Sequence, residues 1–127
     1  MHLTVGEQEK FIIDSKLKWN STGLSVFARE EYYFEANGTW KDAGIECTAD
    51  GYNYWALTLA TIFRRSFNNK WFALIGTVDK SGRKYLIGQK NTIKFCKAGT
   101  LYFYTNDIIF MYWNNHGAIE LTIKRIS

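Results

Sequence analysis

Apolar residues recur at every second position in much of this 127-residue chain. A period of two places alternate side chains on opposite faces of an extended strand. The clearest example is the stretch 118–126, in which Ile119, Leu121 and Ile123 share one face. The stretch 71–78 is instead almost continuously apolar, which is typical of a strand buried in the core of a sandwich. The pattern therefore predicts an all-β chain.

Turn residues separate a series of short strand-like segments. The chain has no proline, so Gly, Asn and Asp must build its turns, and Asn37-Gly38 suits a turn because both residues tolerate positive φ. Short strands at this spacing indicate a sandwich or a barrel, and we predict one antiparallel β-sandwich of the jelly-roll type over residues 1–127. Residues 55–67 allow at most one short helix, with an irregular crossing segment as the alternative. The predicted strands are 11–13, 17–19, 31–36, 71–78, 84–88, 92–96, 100–104 and 118–126.

Composition and charge argue against several classes of partner. The formal net charge is +4, but Lys and Arg are scattered rather than gathered on one stripe, so we expect no nucleic-acid partner. No apolar stretch approaches the length of a membrane span, which argues against membrane insertion. Residues 1–9 lack a basic region followed by an apolar run, so we expect a cytoplasmic protein, or one exported without a classical signal peptide. Cys47 and Cys96 form either one disulfide or two free, buried thiols, and the reduced pair is the preferred interpretation.

Catalytic groups are scarce in the sequence. The two histidines, His2 and His116, have no neighbours that mark a general base or a metal ligand. There is no Gly-rich phosphate loop, no Gly-x-Ser-x-Gly elbow and no His/Cys metal pattern. We therefore expect a binding protein rather than an enzyme.

The stretch 105–117, between two predicted strands, collects side-chain oxygens. Asp107 is followed, across an apolar loop, by the adjacent amides of Asn114 and Asn115. Calcium takes about six to eight oxygen ligands in a relaxed geometry, so these residues are candidate calcium ligands. On spacing alone, a plain hairpin turn at 114–117 with Asp107 as its counterpart is the simpler interpretation.

The order of the motifs resembles that of the PA-I-type galactophilic lectins, a family of calcium-dependent, galactose-binding-domain-like β-sandwiches. The family's ligand loop is matched by Asn106-Asp107, by an apolar loop that holds Tyr112-Trp113, and by the four residues 114–117. The similarity runs from about residue 26 to the end of the chain. The further matching pieces are 38–42, 72–76, 86–88, 99–103 and the last strand at 118–126.

The resemblance implies a calcium-dependent lectin for a galactose-type or related glycan. Asp107, Asn114 and Asn115 would bind Ca²⁺ through side-chain oxygens, and Met111 and Ala43 through backbone carbonyls. Two adjacent sugar hydroxyls would complete the calcium shell. The expected sugar-contacting residues are Asp107, Ile108, Met111, Trp113 and Asn114.

Two positions depart from the family pattern. Ala43 stands where the family has an aromatic residue and Met111 where it has a threonine; both family residues help to hold galactose, so calcium is better supported than galactose. The alternative function is a structural or protein-interaction sandwich that keeps the fold without sugar binding. Alternation places one of Tyr112 and Trp113 inward and the other outward, and Trp40 is expected in the core. Lectins often gain strength by presenting several sites at once, so we expect a homo-oligomer.

Overall fold

The computed structural model describes residues 1–53 and 63–127. Within these ranges it contains eleven β-strands and one short 3-10 helix, with no α-helix. Residues 55–62, which make up most of the predicted helix or crossing segment 55–67, lie outside the described residues. The strands are β1 (Gln8–Asp14), β2 (Asn20–Val26), β3 (Glu31–Asn37), β4 (Trp40–Asp42), β5 (Ile45–Cys47), β6 (Leu74–Val78), β7 (Ser81–Leu86), β8 (Lys90–Lys94), β9 (Gly99–Thr105), β10 (Asn115–His116) and β11 (Ala118–Arg125), and the 3-10 helix is Tyr112–Asn114.

Two four-stranded antiparallel sheets enclose one hydrophobic core. The first sheet has the strand order β1-β11-β3-β8 and the second β2-β9-β6-β7. Alternate residues of β3 and β11 are buried, as the period of two predicts, and they pack against residues of the second sheet. This arrangement confirms the predicted all-β antiparallel sandwich. The buried core includes Leu24, Tyr32, Phe34, Leu74, Leu101, Phe103, Leu121 and Ile123.

A third, smaller sheet has the strand order β10-β4-β5. Trp40 begins β4 and is buried, as predicted, and its indole N–H donates to the carbonyl of Phe72 at 3.1 Å. In the antiparallel register, Asp42 of β4 lies opposite Asn115 of β10. This small sheet therefore brings the turn at residues 43–44, called the early loop below, beside the 105–117 stretch.

A buried carboxylate ties the N-terminus to the last strand. Glu30 accepts hydrogen bonds from the Phe27 N–H and the Tyr32 hydroxyl, contacts the His2 ring and pairs with Arg125 at 2.8 Å. Burial raises the pKa of Glu30, but the hydrogen bonds from His2, Phe27 and Tyr32 outweigh it and hold the pKa below its usual value. The charged form of Glu30 is thus the one that the fold stabilises.

Three local predictions were wrong. No strand forms at 17–19, because the Asn20 side chain makes two hydrogen bonds with the backbone of Asp14 around a turn. Strand β2 begins only at Asn20. In the run 71–78, regular pairing begins at Leu74, since Phe72 has a positive φ of 62° and is outside the ladder. The cysteines are free, as preferred, but neither is fully buried: Cys47 is half-buried and Cys96 is exposed.

A two-residue turn follows β6. Asp79 and Lys80 join β6 to β7 with φ values of 58° and 62°, the positive pair that a two-residue hairpin requires. The Asp79 carboxylate also accepts the Thr100 N–H at 2.8 Å. No helix among the described residues is long and apolar enough to cross a bilayer.

Candidate functional site

Asn106 fastens the start of the 105–117 loop to the body of the protein. Its side chain is fully buried; the carbonyl oxygen accepts the Ser66 N–H at 2.7 Å, and the amide donates to the carbonyls of Ser66, Asn69 and Lys70. In the sequence, Asn106 is visible only as part of a motif. Its four hydrogen bonds show a positioning role, because they fix the backbone from which the next residue projects.

Asp107 directs a buried carboxylate into the loop. Its side chain is 3% exposed, and Oδ1 accepts the N–H of Ile108 at 2.7 Å. Oδ2 is buried with no hydrogen-bond partner in the described part of the chain. Burial raises the pKa of Asp107 to about 6. The hydrogen bond from the Ile108 N–H lowers the pKa, the negative charge of Asp42 raises it, and the Asn115 side chain lowers it. The carboxylate therefore lies close to both Asp42 and Asn115 and lacks a compensating charge.

Asn115 is held with its amide oxygen free. The residue is fully buried in β10, and its Nδ2 donates to the carbonyl of Ser15 at 2.8 Å. The Ser15 N–H and hydroxyl in turn donate to the carbonyl of Gly117, which turns the chain into β11 with a positive φ of 88°. Because Ser15 accepts the amide N–H, Oδ1 of Asn115 is turned away from it, and this oxygen has no partner in the described residues.

Asn114 ends the 3-10 helix and meets the early loop. Its backbone carbonyl accepts the N–H of Ala43 at 3.1 Å, and Ala43 has a positive φ of 53°. The side-chain oxygen of Asn114 is a third buried acceptor without a partner in the described ranges. The structure thus places Ala43 beside Asn114, although the two are far apart in sequence.

The three predicted side-chain ligands of calcium share one property. Among the residues described, Asp107, Asn114 and Asn115 each carry a buried side-chain oxygen that accepts no hydrogen bond. An unsatisfied buried polar group costs about 1–3 kcal/mol, and more when it is charged, so native proteins rarely keep one without a purpose. A bound cation satisfies acceptor oxygens without supplying a hydrogen.

Calcium fits this donor set by its chemistry. All the candidate side-chain ligands are oxygens, which suit a hard cation such as Ca²⁺. Residues 1–53 and 63–127 contain no group of three or more His, Cys, Asp or Glu side chains arranged for a metal, so a site rich in imidazole or thiolate is absent from them. The carboxylate of Asp107, with the two amides, is therefore consistent with the implied ion.

Sequence reasoning missed a second carboxylate, that of Asp42. It faces Asn115 across the β4–β10 register, and the hydroxyl of Tyr52 donates a hydrogen bond to it. Burial and the Asp42 charge raise the pKa of Tyr52, which keeps that hydroxyl protonated and able to donate. The available signal was position: Asp42 immediately precedes Ala43, which had been named as a ligand.

One loop aromatic faces inward and the other outward, as predicted, although both lie in the 3-10 helix rather than in an alternating strand. Tyr112 is buried, with its hydroxyl donating to the Thr105 carbonyl at 2.8 Å and accepting from Arg65 at 2.8 Å. Trp113 is 72% exposed, so the face of its indole is open to a ligand. Met111 donates its N–H to the Ile108 carbonyl at 2.9 Å, which closes the turn before the 3-10 helix.

A solved structure of another protein has a similar fold. No protein-family model and no curated protein matches the sequence. Among solved structures, the N-terminal domain of EclA, described as a PllA-like lectin, superposes with a TM-score of 0.69 at 16% identity, over 91% of this chain and 94% of that chain. The fold is similar to that of a lectin. At this identity the likeness shows the fold alone, and it supports a lectin fold in general without showing the PA-I type.

Proposed function

We propose that this protein is a calcium-dependent carbohydrate-binding protein, or lectin, whose site is formed by the 105–117 loop and the turn at Ala43. The observation that carries the proposal is the set of three buried oxygens on Asp107, Asn114 and Asn115 that have no hydrogen-bond partner in the described residues. These are the residues that the sequence motif selects independently of the structure. A plain hairpin turn would give such oxygens donors or expose them to water.

The residues around the proposed ion define how a sugar would bind. Calcium held by these residues would supply coordination positions for two adjacent sugar hydroxyls. Asp107 and Asn114 would orient those hydroxyls, since a carboxylate and an amide oxygen accept hydrogen bonds from them. The exposed indole of Trp113 offers an apolar face to the C–H side of a sugar ring. Backbone carbonyls of Ala43 and Met111 complete the proposed protein ligands.

The comparison with a lectin domain supports carbohydrate as the ligand class, because that similar structure is itself described as a lectin. A galactose-type or related glycan is the first ligand to test. Ala43 and Met111 lack the aromatic ring and the hydroxyl of the galactose-binding family, so the preferred sugar is expected to differ from that family's. A homo-oligomer that presents several such sites would raise the apparent affinity for a multivalent glycan surface.

A glycan array probed with and without chelator tests the proposal. We expect binding to a restricted set of glycans in millimolar calcium and its loss in EDTA. Asp79→Asn is a suitable control, because it removes a carboxylate at a distant hairpin where asparagine tolerates the positive φ. Calcium-induced stabilisation without binding to any glycan would instead support the alternative of a structural or protein-interaction sandwich.

A further inference from the structure

The second sheet buries polar and aromatic residues on its outer face as well as on its inner face. Ile75 of β6 lies opposite Tyr104 of β9 in the ladder, and both point away from the main core into a small separate cluster. Trp19 packs on the edge of Tyr104 with ring centroids 5.3 Å apart. The Arg65 guanidinium lies over the Tyr104 ring, 3.6 Å from its centroid. An outward face of this kind resembles the wall of a binding cleft more than a solvated sheet surface.

These side chains line a cleft with a volume of about 390 Å³. That volume lies within the range of about 300–1,000 Å³ that small-molecule sites occupy. The cleft is separate from the three calcium ligands proposed above, none of which lines it. Its lining residues are Trp19, Arg65, Thr77, Lys80, Ser81, Gly82, Lys84, Tyr104 and Ile109.

Two hydroxyls in the cleft wall have no hydrogen-bond partner in the described part of the chain. Thr77 is 2% exposed and Tyr104 is 1% exposed, and neither Oγ1 of Thr77 nor the Tyr104 hydroxyl is bonded. They come from neighbouring strands and line one cavity. A buried hydroxyl that is left unpaired destabilises the free protein. Both oxygens are shielded from solvent, so a ligand that bonds to them must first displace side chains that cover them.

The rim of the cleft is positively charged. Arg65, Lys80 and Lys84 line it, and its lining includes no acidic residue. The ammonium of Lys80 lies 5.9 Å from the centroid of the Trp19 ring, and that of Lys84 donates to the Arg65 carbonyl. Cations beside an indole recognise a ligand that has a negative group on an apolar body.

We propose that this cleft is a second ligand site, specific for an acidic saccharide that carries a carboxylate or a sulfate. The anionic group would pair with Lys80 and Lys84, and sugar hydroxyls would bond to Thr77 and Tyr104. The apolar side of the ring would pack against Trp19. The inference does not require calcium, so it stands apart from the function proposed for the 105–117 loop.

Binding is measured by NMR chemical-shift titration in EDTA, which removes calcium from the proposed calcium site. The probes are N-acetylneuraminic acid for the carboxylate, galactose 6-sulfate for the sulfate, and galactose as the neutral control. We expect at least one acidic sugar to shift the signals of Thr77 and Tyr104, with galactose at least tenfold weaker. Added salt should weaken the binding of the acidic sugar, because the charges of the lysine side chains are exposed to solvent and are screened by salt.

Two variants separate a binding role from a structural one. Tyr104→Phe removes a hydroxyl that has no partner in the described residues, so its melting temperature should equal or exceed that of the wild type while affinity falls about two- to tenfold. Lys84→Gln should weaken binding by about tenfold or more through loss of a charged contact. Lys124→Ala, which removes an exposed charge from the opposite sheet, is the matched control and should bind as the wild type does.

Three results would overturn the proposal. The first is equal binding of galactose and the acidic sugars, and the second is the absence of any shift at Thr77 and Tyr104. The third is a Tyr104→Phe variant that loses stability and binding together, which would make the hydroxyl structural. Failure of the calcium site appears separately, as an Asp107→Asn variant that still responds to calcium.

Discussion

Replacing Asp107 with asparagine should change stability in opposite directions with and without calcium. The carboxylate is buried beside Asp42, and its pKa of about 6 compares with an ordinary value of 3.8. A shift of about two pKa units corresponds to about 3 kcal/mol of cost for keeping the charged form in the fold above pH 6. Without calcium, Asp107→Asn should therefore stabilise the protein.

The expected gain is about 1–3 kcal/mol at pH 7.5, since the new amide brings N–H donors that themselves need acceptors. That corresponds to a rise in melting temperature of about 4 °C for each kcal/mol in a domain of this size. With calcium the order should invert. The wild type gains about 4.1 kcal/mol at a calcium concentration one thousand times the dissociation constant, which exceeds the advantage of the variant, whereas the variant gains nothing.

Thermal melts of both proteins in EDTA and in millimolar calcium measure these four stabilities, with Asp79→Asn as the control for loss of a carboxylate elsewhere. The control should keep the full calcium response. A variant that is less stable than the wild type in EDTA would show that Asp107 is a structural turn residue. An equal calcium shift in variant and wild type would place the ion elsewhere.

Three further predictions test other parts of the account. Glu30→Gln should destabilise the fold by about 1.5–3 kcal/mol near pH 7. Because the folded pKa of Glu30 is lowered, the wild-type advantage is present above pH 4.5 and should fade as the pH falls through the lowered value. Denaturant titrations at several pH values measure this. Burial raises the pKa of Cys47 to about 12, so replacing Cys47 and Cys96 with serine should leave glycan binding unchanged, and loss of binding in a folded double variant would contradict this. Trp113→Ala should weaken glycan binding by about five- to tenfold, a typical loss for an aromatic contact. The calcium-induced shift in melting temperature should not change, and a change in that shift would assign the indole to the metal site instead.

Strands with strict alternation could be predicted from the sequence. In β3 and β11 every second residue enters the core. Both strands begin at the predicted residue and end within one residue of the predicted end. β2 was missed because Gly23 and polar residues interrupt its pattern, and its pairing with β9 shifts register between Ser21 and Ser25. β4 and β5 are three residues long, too short for a period to show.

The candidate site was only partly accessible to sequence reasoning. A local motif was enough to select Asp107, Asn114 and Asn115, because all three lie within one loop. Asp42 and Tyr52 were missed, since they reach the site through the pairing of β4 with β10 and a side-chain hydrogen bond. The cleft on the outer face of β6 was missed for a different reason: a continuous apolar run does not reveal which of its residues face away from the core.

A crystal structure grown in millimolar calcium with a bound glycan tests the central claim most directly. The account predicts a cation within about 2.3–2.6 Å of side-chain oxygens from Asp107, Asn114 and Asn115, with two adjacent sugar hydroxyls completing its shell. Water molecules bonded to those three oxygens, with no cation and with the sugar bound elsewhere on the sandwich, would contradict it.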